Sequence, residues 1–202
     1  MTIYHFKQIL EPNFKRFYRM KHLKVLGFFF FLAISLSARS QNIIGLSTNW
    51  ADSFSEWTIY TDDEDISGEM RIQWPLDQDW TEWVFSIGDE IGQIKMKWKD
   101  DPNQWELRCQ NQIITIRTVW KDDPTRWRIT DNTHSYTLVS KWHNLPYEWK
   151  LQETKLGDFE IYMTNEPDPR DWDIFDTLPD EVSTPIKMAM IFIAVYHSTP
   201  KW

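Results

Sequence analysis

The sequence predicts an all-β fold: a closed antiparallel barrel of twelve strands, plugged by its own hydrophobic C-terminal helix. Three observations lead there. Tryptophan recurs at fixed spacing, hydrophobic residues alternate with period two between turn-like segments, and a wholly apolar run follows the last alternating segment.

The repeat comes first. Trp98, Trp120 and Trp142 are 22 residues apart, and so are Trp105, Trp127 and Trp149. Within each pair the gap is seven, as it is for Trp50 and Trp57; Trp74 and Trp83 are nine apart, with Trp80 in the insertion. The links KDDPNQ from Lys99 and KDDPTR from Lys121 set Pro beside Asp, and HNLPYE from His143 sets it two residues after Asn144, which is turn chemistry. Between links the chain alternates. Trp105 and Leu107 share one face against Glu106 and Arg108, and Ile94, Met96 and Trp98 share one against Lys95 and Lys97. The pattern reads as six hairpin-like units. Their strands run Asn42–Trp50, Trp57–Thr61, Glu69–Trp74, Trp83–Ile87, Gly92–Trp98, Trp105–Gln110, Ile113–Trp120, Trp127–Asp131, Ser135–Trp142, Trp149–Glu153, Asp158–Met163 and Trp172–Asp176. Pairing the first strand with the last removes both sheet edges.

A ring of twelve strands is too wide to be filled by its own side chains. The segment from Pro185 to Tyr196, PIKMAMIFIAVY, supplies the filling: it is apolar on every side except at Lys187, as a buried helix is. Ser183-Thr184-Pro185 reads as a cap with Pro in the first turn, so the plug is expected over about 181–198.

Residues 1–40 read differently. A basic start, the apolar run VLGFFFFLAISLS from Val25 to Ser37, and small residues at Ala38 and Ser40 form an export signal. Met20 opens a tidier signal than Met1 does. Cleavage near Ser40 would leave 41–202 as one exported domain in the periplasm or outside the cell; an uncleaved N-terminal membrane anchor is the competing reading. Residues 1–40 hold seven bases and one acid, so residues 41–202 hold 15 bases and 29 acids, a net charge of −14. That balance disfavours nucleic acid as a partner and gives no support to anionic lipid. The lone Cys109 has no partner for an internal disulfide, so the core must hold a monomeric fold unaided.

The strand count, the strand order and the terminal helix PIKMAMIFIAVY resemble the tubby-like superfamily, which includes LURP-one-related proteins and phospholipid scramblases. The resemblance covers about Asn42 to Thr199 and implies the barrel-around-helix fold. It would also imply lipid association. The phosphoinositide-binding basic cluster of tubby domains has no match visible here, and members of the superfamily are mostly intracellular. No functional residue is carried over.

The alternation puts Trp57, Trp74, Trp98, Trp105, Trp120, Trp127, Trp142 and Trp149 inside, near one end. Trp80, in its insertion, and Trp202, at the tail, are the candidates for stacking on a ligand. The acid-rich turns lack a calcium-loop spacing, and no zinc-ligand spacing, nucleophile elbow or phosphate-binding glycine loop occurs. No metal, cofactor or catalytic residue is therefore assigned. Lys187 is the one charge in the plug, and a buried lysine needs a partner. The inward positions nearest its mouth include Asp131, Glu153 and Asp176, the expected ion-pair candidates. The reading that follows is a non-catalytic barrel of the cell envelope, binding or structural. The alternatives are a lipid-associated protein of the scramblase or tubby-like type, and a carbohydrate binder acting through exposed Trp.

Overall fold

The computed structural model describes residues 41–143 and 145–201. The export signal read in residues 1–40 and the stacking candidate Trp202 lie outside the described residues. The strands are β1 (Ile43–Trp50), β2 (Ser53–Thr61), β3 (Ser67–Ile72), β4 (Glu82–Ile87), β5 (Glu90–Met96) and β6 (Gln104–Cys109). They continue as β7 (Gln112–Thr118), β8 (Arg126–Thr130), β9 (Ser135–Trp142), β10 (Leu145–Leu151), β11 (Phe159–Asn165) and β12 (Asp168–Asp176). One helix, α1 (Thr184–Ser198), follows. Each strand pairs with its sequence neighbours and β1 closes on β12, giving a closed barrel. All neighbours are antiparallel.

The turns β1–β2, β3–β4, β5–β6, β7–β8, β9–β10 and β11–β12 define one end, here the upper rim. The other turns, and the passage from β12 to α1, define the lower rim. α1 is buried from Thr184 to Tyr196 and fills the barrel along its axis. Pro185 sits in its first turn after Ser183, where a missing N–H costs nothing. The core lines up around it: Phe192 meets Trp83 and Trp105 edge-on at 5.7 and 4.8 Å, and Tyr196 meets Trp105 at 4.8 Å. A Cβ at Gly92 would overlap the ring of Phe85, its partner across the β4–β5 ladder, so glycine makes the space that this large inward ring needs.

Two expectations need correction. Three strands stop short of their tryptophan: β3 ends at Ile72, β5 at Met96 and β7 at Thr118. Among the eight tryptophans expected inside, Trp57, Trp105, Trp127 and Trp149 are buried, whereas Trp74, Trp98, Trp120 and Trp142 are half-exposed or more. The reason is where the ladder ends. Each buried Trp stands on the last regular rung before the upper turn: Thr48↔Trp57, Ile72↔Trp83, Met96↔Trp105, Thr118↔Trp127, Ser140↔Trp149, Met163↔Trp172. Two residues past each rung partner come Trp50, Trp74, Trp98, Trp120, Trp142 and Asn165. Alternation would send these inward. Between rung and turn the strand instead stops (β3, β5, β7) or shifts register (β1, β9, β11), so the next side chain turns out.

Candidate functional site

The indole N–H of every one of those six inward tryptophans donates to the carbonyl three residues earlier. The pairs are Trp57 to Phe54 (2.8 Å), Trp83 to Trp80 (3.0 Å), Trp105 to Pro102 (2.9 Å), Trp127 to Pro124 (2.8 Å), Trp149 to Pro146 (3.2 Å) and Trp172 to Pro169 (2.9 Å). Each indole thus leans up toward its turn and satisfies its one polar atom there, as a buried Trp must. The spacing Pro-x-x-Trp, present four times, was the signal in the sequence for this arrangement.

The outward indoles form a second set. Trp50, Trp74, Trp98, Trp120 and Trp142 occupy five successive upper hairpins, with Asn165 at the sixth. Trp98 and Trp120 are 59% and 67% exposed. Outward strand residues meet three of the set: Trp50 donates to Glu56 (2.9 Å), Trp74 donates to Glu82 (3.2 Å), and the Lys141 ammonium sits 5.4 Å over the Trp142 ring. Hydrogen bonds from Trp50 and Asn49 hold the Glu56 carboxyl below its usual range. Trp80, expected as a stacking surface, is instead half-buried and packs on Trp83 at 5.6 Å, because its own carbonyl anchors that indole.

Beside Trp98 the wall of β5 and β6 carries a shallow groove of about 410 Å³, lined by Gln93, Lys95, Met96, Lys97, Trp98, Glu106 and Arg108. Lys95 pairs with Glu82, and Arg108 with Glu106 at 2.6 Å. On the next two strands Arg117 and Arg128 stand directly opposite each other, both exposed. The strands β5 to β10 and their turns, 90–151, hold ten bases and eight acids, while the remainder of 41–202 holds five bases and 21 acids. Scattered in sequence, the bases gather on one side of the barrel.

The turn acids are engaged locally. Asp79 accepts from Thr81, Asp101 from Asn103 and Asp123 from Thr125, through N–H and side chain alike. The Thr125 hydroxyl and N–H hold the Asp123 carboxyl below its ordinary range. These are Asx turns, each with one carboxylate oxygen, Oδ1, committed to its own turn. Cys109 is buried in the wall, its thiol pushed up to about 11 by burial and by Glu90, which makes it a packing residue and a poor nucleophile.

At the lower rim Lys187 Nζ lies 2.7 Å from Asp176 Oδ2, with side chains 0% and 1% exposed. Lys187 also donates to the Gln41 carbonyl (3.1 Å), and Asp176 accepts from the N–H of Ile43 (3.3 Å) and of Leu178 (3.0 Å). The other two candidate partners do not meet the lysine. Asp131 accepts from the N–H of Thr133 and His134, and Glu153 from the N–H of Thr137. The difference is again the ladder. Asp176 is on a rung opposite Phe159, whereas Asp131 and Glu153 lie beyond the ends of β8 and β10 and cap backbone there. A pair so enclosed is a structural tie rather than a reactive centre.

Compared with known proteins, the chain matches no family model, no curated protein and no solved structure.

Proposed function

We propose that this chain is an exported, non-catalytic binding barrel that takes carbohydrate along the tryptophans of its upper rim. The observation that carries the reading is the set of five exposed indoles on five successive hairpins, four of them (Trp50, Trp74, Trp98 and Trp142) beside polar or charged side chains of the outer wall. An exposed Trp is an unusual expense for a water-facing surface, and five at equivalent positions form a repeated platform. Indoles present a flat apolar face with a polar edge, which suits stacking on sugar rings. Rim indoles on neighbouring hairpins are carried by alternate strands, about 10 Å apart across the sheet, a step that matches two linked pyranose rings.

A membrane surface is a poorer fit. The turn tips above the indoles carry Asp52, Asp100 and Asp122, all exposed, so an end-on approach meets carboxylates first. The outer wall bears Glu69, Arg71, Lys95 and Arg108, unlike the apolar band of a membrane-spanning barrel. No described helix is long and apolar enough to cross a membrane.

Affinity electrophoresis through gels containing soluble neutral and acidic polysaccharides, beside pull-down on liposomes, tests the reading. Retardation by at least one polysaccharide, weakened at least fivefold by Trp98→Ala with Trp120→Ala, is the expected result. A correctly folded protein that no polysaccharide retards would overturn it.

A further inference from the structure

The geometry points to an acidic polysaccharide as the ligand, with the guanidinium groups of Arg117 and Arg128 reading its anionic groups on the outer wall of β7 and β8. This rests on the carbohydrate reading above and narrows it.

The argument begins with a rung that is unfavourable on its own terms. Arg117 and Arg128 are directly opposed across the β7–β8 ladder, and both side chains point outward, because Ile116, Trp127 and Ile129 beside them are buried. Like charges directly opposite each other destabilise a sheet. Among the described residues no carboxylate lies within ion-pair distance of either, and their other ladder neighbours are Gln104 and Thr137. Elsewhere on the wall Arg71, Lys95, Arg108 and Lys141 each have an acid beside them (Glu69, Glu82, Glu106 and Glu148). Arg126 and Lys150 have no ion pair among the described residues either, but they stand opposite Val139 and Glu160, whereas the Arg117–Arg128 rung sets two bases face to face. The chain has 29 acids in 41–202 and none is spent on this rung.

Two planar forks side by side, each able to bind a carboxylate or sulfate bidentately, form a site for an anion that arrives from outside. Its surroundings indicate the rest of the ligand. Trp120 lies three residues beyond Arg117, just past the end of β7, and the Trp98 groove with Lys97 adjoins on β5 and β6. Alternating aromatic platforms and cations along one wall match a polymer of sugar rings carrying regularly spaced negative groups. The strongly acidic remainder of the barrel repels such a polymer, so it is steered onto this face.

The experiment uses the full chain and the double variant R117Q/R128Q, with R117K/R128K and the distant K155Q as comparisons. The probes are alginate as a polyuronate, dextran sulfate, neutral dextran and laminarin, and phosphatidylglycerol vesicles. The expected result has three parts. Binding to alginate or dextran sulfate falls at least tenfold in R117Q/R128Q and is intermediate in R117K/R128K, while K155Q binds as the parent does. The affinity of the parent falls steeply with salt, and the double variant loses about two units of that log–log slope. Relief of the like-charge rung leaves the melting temperature of the double variant equal to or above the parent's, so loss of binding is not loss of fold. Binding to neutral polysaccharides alone, or to acidic ones without dependence on these arginines, would overturn this inference and leave the carbohydrate reading standing. Failure to bind any polysaccharide would overturn both. Arginine-dependent binding to the vesicles and not to the polysaccharides would also overturn both, in favour of anionic lipid.

Discussion

The inner and outer surfaces of this sheet treat the same residue type in opposite ways. Inside, six tryptophans stand on equivalent rungs, each with its indole N–H bonded to a turn carbonyl and its ring sealed against α1 or its neighbours. Outside, five tryptophans only a few residues away lie open on the wall. Charge divides similarly: the outer wall carries arginines with no acid partner, while the fully buried ammonium of Lys187 on α1 is met by Asp176 and a carbonyl. Side-chain identity does not set the fate of a residue here. The last rung of the ladder does.

The largest effects should come from breaking the inside. Trp127→Ala or Trp105→Ala should destabilise by about 3–5 kcal/mol, as large core truncations do, while Trp120→Ala should stay within about 0.5 kcal/mol. Urea unfolding midpoints would measure both, and equal losses would erase the distinction between the two sets. Lys187→Met should cost about 3–5 kcal/mol by stranding Asp176, and the double change with Asp176→Leu should recover much of it. If the single and double variants unfold at the same midpoint, the pair is not the tie described.

Acid should act through His197. Its ring packs 4.8 Å from Trp127, its Nε2 is buried without a hydrogen-bond partner among the described residues, and burial depresses it to about 3. The unfolded chain therefore takes up this proton first. Stability is lost as pH falls from about 6.5 toward 3, by up to about 3 kcal/mol at pH 4. His197→Phe should flatten the melting temperature between pH 6.5 and 4, and an unchanged slope would assign the acid sensitivity elsewhere. A smaller effect than full truncation should follow from Trp105→Phe, which keeps an aromatic ring but loses half of the indole and its bond to Pro102, at about 2 kcal/mol. Trp50→Phe, which loses the exposed bond to Glu56, should be nearly silent.

The same rung explains what the sequence discloses. Period-two alternation holds wherever two strands are laddered, so the strand count, the closure and the inward phase of Leu107, Ile129 and Leu138 were legible. So was the plug, because a helix apolar on every side has nowhere else to go. Alternation carries no information past the point where pairing stops. That is why alternation alone sends Trp98 and Trp120 to the wrong face, and why it cannot tell Asp131 and Glu153 from Asp176. The arginine rung was hidden for another reason. Arg117 and Arg128 are each visibly outward in their own strand, but their opposition depends on register across a turn.

The closing of the barrel by β1 and β12 also sets when this molecule can fold. Ile43 reaches Asp176, and Gln41 reaches Lys187, across separations of 133 and 146 residues. No run of hairpins formed along the way can bury its inner face, since the helix that covers it follows every strand. Contacts of such long range make folding slow, and here they also make it late: nothing stable is gained until β12 and α1 have been synthesised. If the chain is exported unfolded, its early hairpins have no stable structure to lock into on the way. Its topology postpones the commitment to a fold until the whole polypeptide, α1 included, is available.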